Sequence, residues 1–527
     1  MNAKNWTLVA AILGSGIVFL DSTVVNVALP RIGEELPTNV LGVLEGQSYI
    51  YNGYLLTLSA LLILAGALND YYGRRRMFLL GLAGFGVTSV LCGLAPNMEL
   101  LVVFRLLQGA AGAVLVPGSL SLITVTFTDR EEQGRAFGLW AGASAATTIF
   151  GPFVGGLLVD AISWRMAFLV NAPLVAAALW AVLVHVRESR DETASSAFDW
   201  WGAAVVAIAV GGLTFGPIYG QQREWRDPLA FVAIGVGVVA AAALPFMMLR
   251  RTHALVPPQL FRSRNFTVTN LSTLVIYGAL YVSFYFIPLF MQGSLGYTAS
   301  AAGLASLPAT VFLVFLSSRF GALGGRYGPR WFMAIGPLVM AIGLALLARV
   351  PPSSQAWALR VDAPATYVPP VSYFLDFLPG LTVFGMGIAI LVAPLTSALM
   401  SSVPAHNSGV ASAINNAISR VGPQLAGALI FVAITSSFYA GLQSRLPQID
   451  SGSSELRRQV APLNRPADDM PTAVVAAAQD ASADAFHLAV LVSAGLLLAG
   501  ATINAVGIRN PSAAPATREP SEAPAVA

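Results

Sequence analysis

The chain reads Gly66-Ala-Leu-Asn-Asp-Tyr-Tyr-Gly-Arg-Arg75 and, further on, Gly321-Ala-Leu-Gly-Gly-Arg-Tyr-Gly-Pro-Arg330. The two stretches share Gly, Ala, Leu, Tyr, Gly and the final Arg at matching positions. Each is flanked by apolar runs, so each predicts a loop between two membrane helices. A loop that recurs in both halves of a helical membrane protein indicates two related bundles around a central space, which is typical of transporters.

The composition places the chain in a membrane. Hydrophobic residues make up 56% of its 527 residues and charged residues only 10%, against roughly 25% charged in a soluble domain. The net charge of +3 is too small to favour a nucleic-acid partner. The sequence contains no metal-ligand spacing, no nucleophile–base cluster and no Walker-type loop. It therefore predicts neither an enzyme nor a cofactor, and transport would draw on an ion gradient or be passive.

Apolar runs of about 20 residues predict the membrane spans. An even number of spans places both ends of the chain on one side of the membrane. Seventeen Lys and Arg residues fall in the short loops and tails of that side, against six in the short loops opposite. By the positive-inside rule, both ends are predicted to be cytoplasmic, in a cell (inner or plasma) membrane. We count fourteen predicted spans: Trp6–Leu29, Gln47–Leu68, Met77–Ala95, Leu100–Phe127, Ala136–Val159, Met166–Val186, Trp200–Tyr219, Leu229–Leu249, Phe266–Gln292, Ala299–Phe320, Trp331–Ala348, Tyr373–Met400, His406–Tyr439 and Ala485–Val506.

The repeat divides these spans into six, two and six, which predicts an all-α integral membrane protein with four segments. They are a first six-helix bundle (1–190), two additional central helices with linkers (191–264), a second six-helix bundle (265–510) and a disordered cytoplasmic tail (511–527). Two outward loops, 353–370 and about 440–483, are rich in Pro, Ser and Ala. Their composition predicts loose external segments and not a packed domain.

Four motifs resemble those of the major facilitator superfamily, specifically its fourteen-span drug/proton antiporter branch. They are Leu20-Asp-Ser-Thr-Val-Val-Asn-Val-Ala-Leu-Pro30 in the first span, the 66–75 loop, Arg105-Leu-Leu-Gln-Gly-Ala-Ala-Gly-Ala113 in the fourth span and Gly151-Pro-Phe-Val-Gly-Gly156 in the fifth. The resemblance covers nearly the whole chain except the long outer loop and the tail. Tyr71 departs from the family pattern, which has a basic residue there, so one implied charge contact is weakened.

The resemblance implies conformational roles for two of the motifs. The loop motif would form a latch that holds the bundles in one state, with Glu131, Glu132 and Arg135 as plausible partners, although membrane anchoring also explains part of its basic cluster. Its residues are Gly66, Asp70, Gly73, Arg74 and Arg75. The fifth-span motif would form a hinge and a seal against proton leak between the bundles, because its proline breaks and kinks the helix. Its residues are Gly151, Pro152, Gly155 and Gly156, and simple small-residue packing is the alternative.

Asp21 and Arg105 are the predicted proton-coupling residues. Asp21 lies about fifteen residues into the first span, roughly 22 Å from its start, and Arg105 lies at a comparable depth in the fourth span. A charge at such a depth costs on the order of 2.5–3.5 kcal/mol and needs a cavity or a partner. Burial favours the protonated carboxyl and a nearby arginine favours the charged one, so Asp21 can load and release a proton. The alternatives are a structural ion pair and an Arg105 that anchors to backbone carbonyls.

Six further residues are predicted to line or border the substrate cavity. The polar positions Asn416, Arg420 and Gln424 recur every four residues and form one stripe, which would be expensive to expose to lipid. Asp376 could pair with Arg420 or sit among lipid headgroups. Aromatic side chains of the ninth span suit bulky lipophilic compounds, but they are also common at lipid-facing positions. The predicted set is Asn26, Gln108, Tyr281, Tyr285, Asn416 and Arg420.

The resemblance and these residues predict a secondary transporter that exports lipophilic or cationic compounds by proton antiport through alternating access. The predicted partners are a small-molecule substrate, protons and the lipid bilayer, with no nucleic acid; the proton gradient replaces a cofactor. A periplasmic adaptor, the proton stoichiometry and the oligomeric state are not readable from the sequence. The alternatives are a lipid or metabolite exporter on the same scaffold and a transport-inactive receptor or scaffold.

Overall fold

The computed structural model describes residues 3–39, 43–190, 198–223, 225–251, 254–360, 363–404, 407–450, 453, 456, 460–464, 466 and 470–510. In this part of the chain the regular structure is helical, with no β-strand. Short π-helical segments occur at Phe290–Ser294 and Tyr373–Phe377, and a short 3₁₀ helix occurs at Pro364–Tyr367. The α-helices are α1 (Ala3–Glu35), α2 (Val43–Tyr72), α3 (Arg74–Gly93), α4 (Met98–Thr126), α5 (Arg130–Ala161), α6 (Met166–Leu169), α7 (Asn171–His185), α8 (Trp200–Gln222), α9 (Pro228–Arg250), α10 (Gln259–Arg262), α11 (Arg264–Leu289), α12 (Ala299–Ala305), α13 (Leu307–Tyr327), α14 (Arg330–Leu347), α15 (Leu378–Ser401), α16 (Ser408–Arg445) and α17 (Thr472–Gly507).

The helices are built to cross a membrane. Within the described residues, 13 helical segments are long and apolar enough to do so. The remaining predicted span, Ala136–Val159, lies inside α5, a helix of 32 residues. A helix of that length extends about 48 Å, which exceeds the roughly 30 Å hydrocarbon core. The chain is therefore an all-α, multi-pass membrane protein.

The spans pack into two groups with a helical pair between them. Helices α1–α7 contact one another, and so do α11–α17; we call these groups the first and second bundles. The bundles meet where α2 and α4 contact α16 and where α5 contacts α13. Helix α8 contacts both α2 and α16, while α9 packs mainly on α8. The pair α8–α9 therefore covers one of the two seams between the bundles.

The repeated loop has the same backbone conformation in both bundles. Gly73 and Gly328 have φ angles of 105° and 88°, which only glycine adopts without strain. A Cβ added to Gly73 would lie 2.7 Å from an oxygen of Glu188, and one added to Gly328 would meet Asn510. Both neighbours also accept hydrogen bonds from the first amides of the following helix, α3 or α14. Each turn therefore needs glycine because a side chain from the end of its own bundle occupies the space.

The last arginine of each repeated loop joins the third helix of its bundle to the sixth. Arg75 donates through Nη2 to the carbonyl of Leu183 at 2.9 Å, near the end of α7. Arg330 donates through Nε to the carbonyl of Ala505 at 2.7 Å, near the end of α17. The terminal carbonyls of a helix lack partners within the helix, so an arginine placed there satisfies them and favours the negative end of the helix dipole. The sequence repeat is thus a structural repeat.

The outer loops are packed where the structure describes them, so the expectation of loose segments is wrong for those residues. Val460 and Leu463 are 0% and 1% exposed and lie in the hydrophobic core of the second bundle. Trp357 is also buried, and its Nε1 donates to the Thr366 carbonyl at 2.8 Å. A prediction from the average composition of a loop misses single apolar residues that become buried. Helix α17 also begins at Thr472, thirteen residues before the predicted start of the last span. The tail 511–527 lies outside the described residues.

Candidate functional site

A buried ion pair joins α1 to α4 inside the first bundle. Arg105 Nη1 lies 2.5 Å from Asp21 Oδ2, and both side chains are 0% exposed. Helical periodicity explains the approach: Asp21 lies on the face of α1 that packs on α4, and Arg105 lies on the buried face of α4 together with Gln108 and Gly112. The structure therefore brings together the two residues predicted for proton coupling.

Amide side chains complete the coordination of the carboxylate. Gln108 Nε2 and Asn171 Nδ2 both donate to Asp21 Oδ1, at 3.0 and 2.9 Å. Each amide nitrogen also donates to Ser89 Oγ, at 3.1 and 3.0 Å. Cys92 borders the same cluster, because its sulfur donates to Gln108 Oε1 at 3.5 Å. We call Asp21, Ser89, Arg105, Gln108 and Asn171 the buried network.

Sequence reasoning missed Asn171 and assigned Gln108 to the cavity. Asn171 is 0% exposed and is the one amide in the predicted span Met166–Val186, where such a side chain needs an internal partner. A single amide in an apolar span was therefore the sequence feature that could have identified Asn171. Gln108 is also 0% exposed, so in this conformation it faces the network and not an open cavity.

Arg105 is both an ion-pair partner and a backbone anchor, so the two alternatives for it are combined. Its Nε donates to the Ile50 carbonyl at 3.0 Å, and its guanidinium lies 4.1 Å from the centre of the Tyr54 ring. Its Nη1 also reaches Gln108 Oε1 at 2.8 Å. Nη2 is buried and has no hydrogen-bond partner among the described residues. Both N–H groups of Nη2 are thus unused in this conformation.

A second polar cluster lies where the two bundles touch, at the end of the helices that is joined by the repeated loops. We call this end the Asp70 face. Asp70 Oδ1 accepts from Arg74 Nη2 at 2.8 Å, and both side chains are nearly buried. The other carboxylate oxygen lies against Gly409 in the first turn of α16, where a Cβ would be only 2.4 Å away. The start of a helix carries a partial positive charge, so the carboxylate of the first bundle favours contact with the second.

Backbones of the two bundles also approach closely on this face. A Cβ on Gly66 would lie 2.6 Å from the Cβ of Ala413 and 2.9 Å from the Gly409 carbonyl oxygen. Of the predicted loop partners, Glu132 instead pairs with Lys4 at 2.7 Å, and the side chain of Glu131 lies outside the described residues. The role of Arg135 stays a prediction. Charges in adjacent loops do not identify partners when helix termini compete for the same carboxylates.

Two glycines of the fifth-span motif pack against α1 inside the first bundle in this conformation, and not against the second bundle. A Cβ on Gly151 would collide with Thr23, and one on Gly155 would lie 3.0 Å from a methyl group of Val24. Both neighbours belong to α1. Helix α5 continues through residues 151 to 156, so it is not broken there, and the side chain of Pro152 lies outside the described residues. Gly156 is half-buried. The hinge and seal roles stay predictions.

A tyrosine-lined region lies between the bundles. Tyr51 of α2 lies within electrostatic range of Arg420, Tyr281 and Tyr285. Tyr281 and Tyr285 are 39% and 63% exposed, so their rings lie at the surface of α11 and not in the core of its bundle. Asn416 and Arg420 are half-buried on α16. Four of the six predicted cavity residues therefore lie in the second bundle near this space.

The remaining two predicted cavity residues are Asn26 and Gln108, and Gln108 belongs to the buried network. Asn26 is exposed on α1. Asp376 is not a partner of Arg420, because its Oδ2 accepts from Ser354 Oγ at 2.6 Å in the loop before α15. No group of three or more His, Cys, Asp or Glu side chains that could hold a metal ion occurs among the described residues.

Two helical bundles around a central space, with a buried carboxylate–arginine pair in one of them, define a membrane transporter. The chain belongs to the Major Facilitator Superfamily, whose sequence profile matches residues 11–427. This is a family of transporters and not of enzymes, and its drug-efflux members work without a cofactor.

Similar proteins support this assignment over most of the chain. The multidrug resistance protein Stp of Mycobacterium tuberculosis (strain CDC 1551 / Oshkosh) is 31% identical over 84% of this chain and 78% of that protein. The tetracenomycin C resistance and export protein of Streptomyces glaucescens is 32% identical over 83% and 77%. The crystal structure of the human organic anion transporter MFSD10 aligns with a TM-score of 0.58 at 13% identity, covering 95% of this chain and 99% of that one. This last likeness shows the fold alone.

Proposed function

We propose that the protein exports lipophilic small molecules in exchange for protons, with Asp21 as the proton site. The relatives named for drug resistance and export support the direction of transport and the class of substrate. The observation that carries the coupling proposal is the enclosed carboxylate: Asp21 is fully buried, yet an arginine and two amides hold it. The protein would lie in the plasma membrane with both chain ends in the cytoplasm, as the loop charges predict.

The buried network suits a group that carries one proton between two states. A charged carboxylate is stable in this enclosure only while Arg105 and the amide donors face it. Protonation removes the negative charge, and the fully buried Arg105 then becomes an uncompensated cation. The charged and protonated forms therefore favour different arrangements of α1 and α4, which is how a proton can bias a conformational equilibrium.

The Asp70 face supplies the other element of alternating access. In this conformation the first and second bundles touch there through Gly66, Asp70 and the start of α16. Opening that face must separate the Asp70 carboxylate from the positive end of α16. We propose that this contact is the latch of the state closed to the cytoplasm.

The test is solute-driven proton flux in proteoliposomes containing wild-type protein or Asp21→Asn. An added substrate should release protons through the wild type, whereas Asp21→Asn should exchange the substrate across the membrane without moving protons. Asp376→Asn is the matched control, because that carboxylate binds Ser354 outside the network and should leave coupling intact. Coupled flux through Asp21→Asn at the wild-type rate rules out Asp21 as the proton site.

Asn at position 21 leaves Arg105 buried without a counter-charge, which costs on the order of 3–5 kcal/mol and could unfold the protein. The double variant Asp21→Asn/Arg105→Gln removes both charges and keeps the test valid. Wild-type protein that moves neither dyes, lipids nor protons would instead identify a receptor or scaffold. Transport of lipids alone would assign the lipid-exporter alternative.

A further inference from the structure

Arg420 points from α16 towards the first bundle. Ala413 of α16 contacts Gly66 of α2, and seven residues, or about two turns, separate Ala413 from Arg420. Fourteen residues from Ala413, a Cβ on Gly427 would lie 3.6 Å from Val282 of α11 and 3.7 Å from the side chain of Gln221 on α8. Residues seven apart share one helix face, so Arg420 lies on the side of α16 that contacts α2. It is also within electrostatic range of Tyr51 on that helix.

Arg420 lacks the counter-charge that Arg105 has. It makes no hydrogen bond or ion pair within the described part of the chain. The carboxylates described above have other partners: Asp21 binds Arg105, Asp70 binds Arg74 and Asp376 binds Ser354. A permanent cation at membrane depth is expensive without a partner. An anionic ligand in the space between the bundles would supply that partner.

The surroundings of Arg420 also define the shape of that partner. Tyr51 of α2 lies within electrostatic range of Arg420 and of Tyr281 and Tyr285 on α11. Tyr277 extends the row, with its ring centre 6.0 Å from that of Tyr281. Tyrosine rings provide flat apolar surfaces, and their hydroxyl groups donate to acidic oxygens. A cation edged by such rings matches a planar aromatic compound with an acidic group at one end.

We propose that this space binds lipophilic organic anions, with the acidic group of the substrate on Arg420 and its ring system among Tyr51, Tyr281 and Tyr285. This inference rests on the proposed export function and narrows its substrate class. The ion pair of Asp21 and Arg105 has no net charge, so Arg420 makes the space between the bundles positively charged. Cations of the same size bind less well because they place like charges together without a carboxylate to offset them.

The test compares two related planar dyes, anionic fluorescein and cationic rhodamine 123, by equilibrium binding to purified full-length protein in nanodiscs of zwitterionic lipid. Wild-type protein should bind fluorescein at least about tenfold more tightly than rhodamine 123. Arg420→Gln should lose about tenfold in fluorescein affinity and leave rhodamine 123 unchanged or bound more tightly. Arg420→Lys, which keeps the charge, should restore part of the preference. Arg349→Gln is the matched control, because it removes an exposed arginine far along the chain from α16.

Equal or tighter binding of rhodamine 123, binding of neither dye, or unchanged fluorescein affinity in Arg420→Gln overturns the inference. None of these results bears on proton coupling, which the flux through Asp21→Asn tests separately. Fluorescein binding is also measured in nanodiscs that contain phosphatidylglycerol, to test whether the anion at the site is a lipid headgroup. Displacement of fluorescein by that lipid in the wild type, but not in Arg420→Gln, would assign the site to a headgroup and overturn its assignment to exported compounds.

Discussion

Replacing Gly66 by alanine should open the Asp70 face. The added Cβ would lie 2.6 Å from the Cβ of Ala413 and 2.9 Å from the Gly409 carbonyl oxygen, so the alanine does not fit between α2 and α16. Ordinary contact between carbon atoms requires about 3.5–4.0 Å, so the bundles must separate by roughly 1 Å on this side. Neither neighbour is the flexible end of a long side chain, and overpacking of this kind costs about 1–3 kcal/mol.

The cost falls only on the state in which α2 and α16 touch. A difference of about 1–3 kcal/mol between two states shifts their ratio roughly 5- to 150-fold. A cysteine at position 416, on the α16 face that borders the central space, reports the shift. In inside-out vesicles, an impermeant maleimide should label Gly66→Ala/Asn416→Cys at least about fivefold faster than Asn416→Cys alone. The native Cys92 is 0% exposed and contributes little background.

Gly325→Ala is the control for this experiment. It makes the same substitution at the repeat position that matches Asp70, and its added Cβ would have nothing within 4 Å. Both alanines stabilise their helices by the same intrinsic amount, so only the contact differs. Equal labelling rates for Gly66→Ala and Gly325→Ala would show that the α2–α16 contact does not set the state of this face.

Three further predictions concern stability, measured by thermal unfolding in detergent. Gly73→Ala should cost about 1–3 kcal/mol because its φ of 105° excludes other residues, whereas Gly142→Ala, with open space around its Cβ, should be tolerated. Asp199→Ala should cost about 1–2 kcal/mol of stability, since the Asp199 carboxylate caps α8 through the amide of Gly202 and also binds Arg251. Unchanged stability would show that this cap does not stabilise the protein. Trp357→Ala should cost about 3–5 kcal/mol locally and expose the outer loop to protease, and unchanged cleavage would mean that the loop is not held by this ring.

The sequence predicted most of the helices because membrane spans depend on local hydrophobicity. Asp21 and Arg105 could be matched because each interrupts an apolar span at a similar depth, and the structure brings them within 2.5 Å. The repeated Gly–Arg loops were equally readable, since a positive φ and a helix-capping arginine are local requirements.

The failures concern contacts between distant segments. Glu132 was a plausible latch partner by loop position, but it pairs with Lys4 at the start of α1. Gly151 and Gly155 were assigned to the seam between the bundles, yet they face α1. A small residue permits close helix packing, but its identity does not specify which helix packs there. The burial of Val460 was not predicted, because the composition of its loop is mostly polar. One buried side chain is nevertheless enough to hold such a loop.

The extra pair α8–α9 makes the two seams between the bundles unequal. Where α2 meets α16, α8 lies behind the contact and α9 lies behind α8, so that side is backed by further helices. Where α5 meets α13, no additional helical pair covers the contact among the described helices. A compound dissolved in the bilayer therefore meets a thick wall on one flank and a thin one on the other. The near-twofold symmetry of the bundles does not extend to their lipid surroundings, and lateral entry should be one-sided.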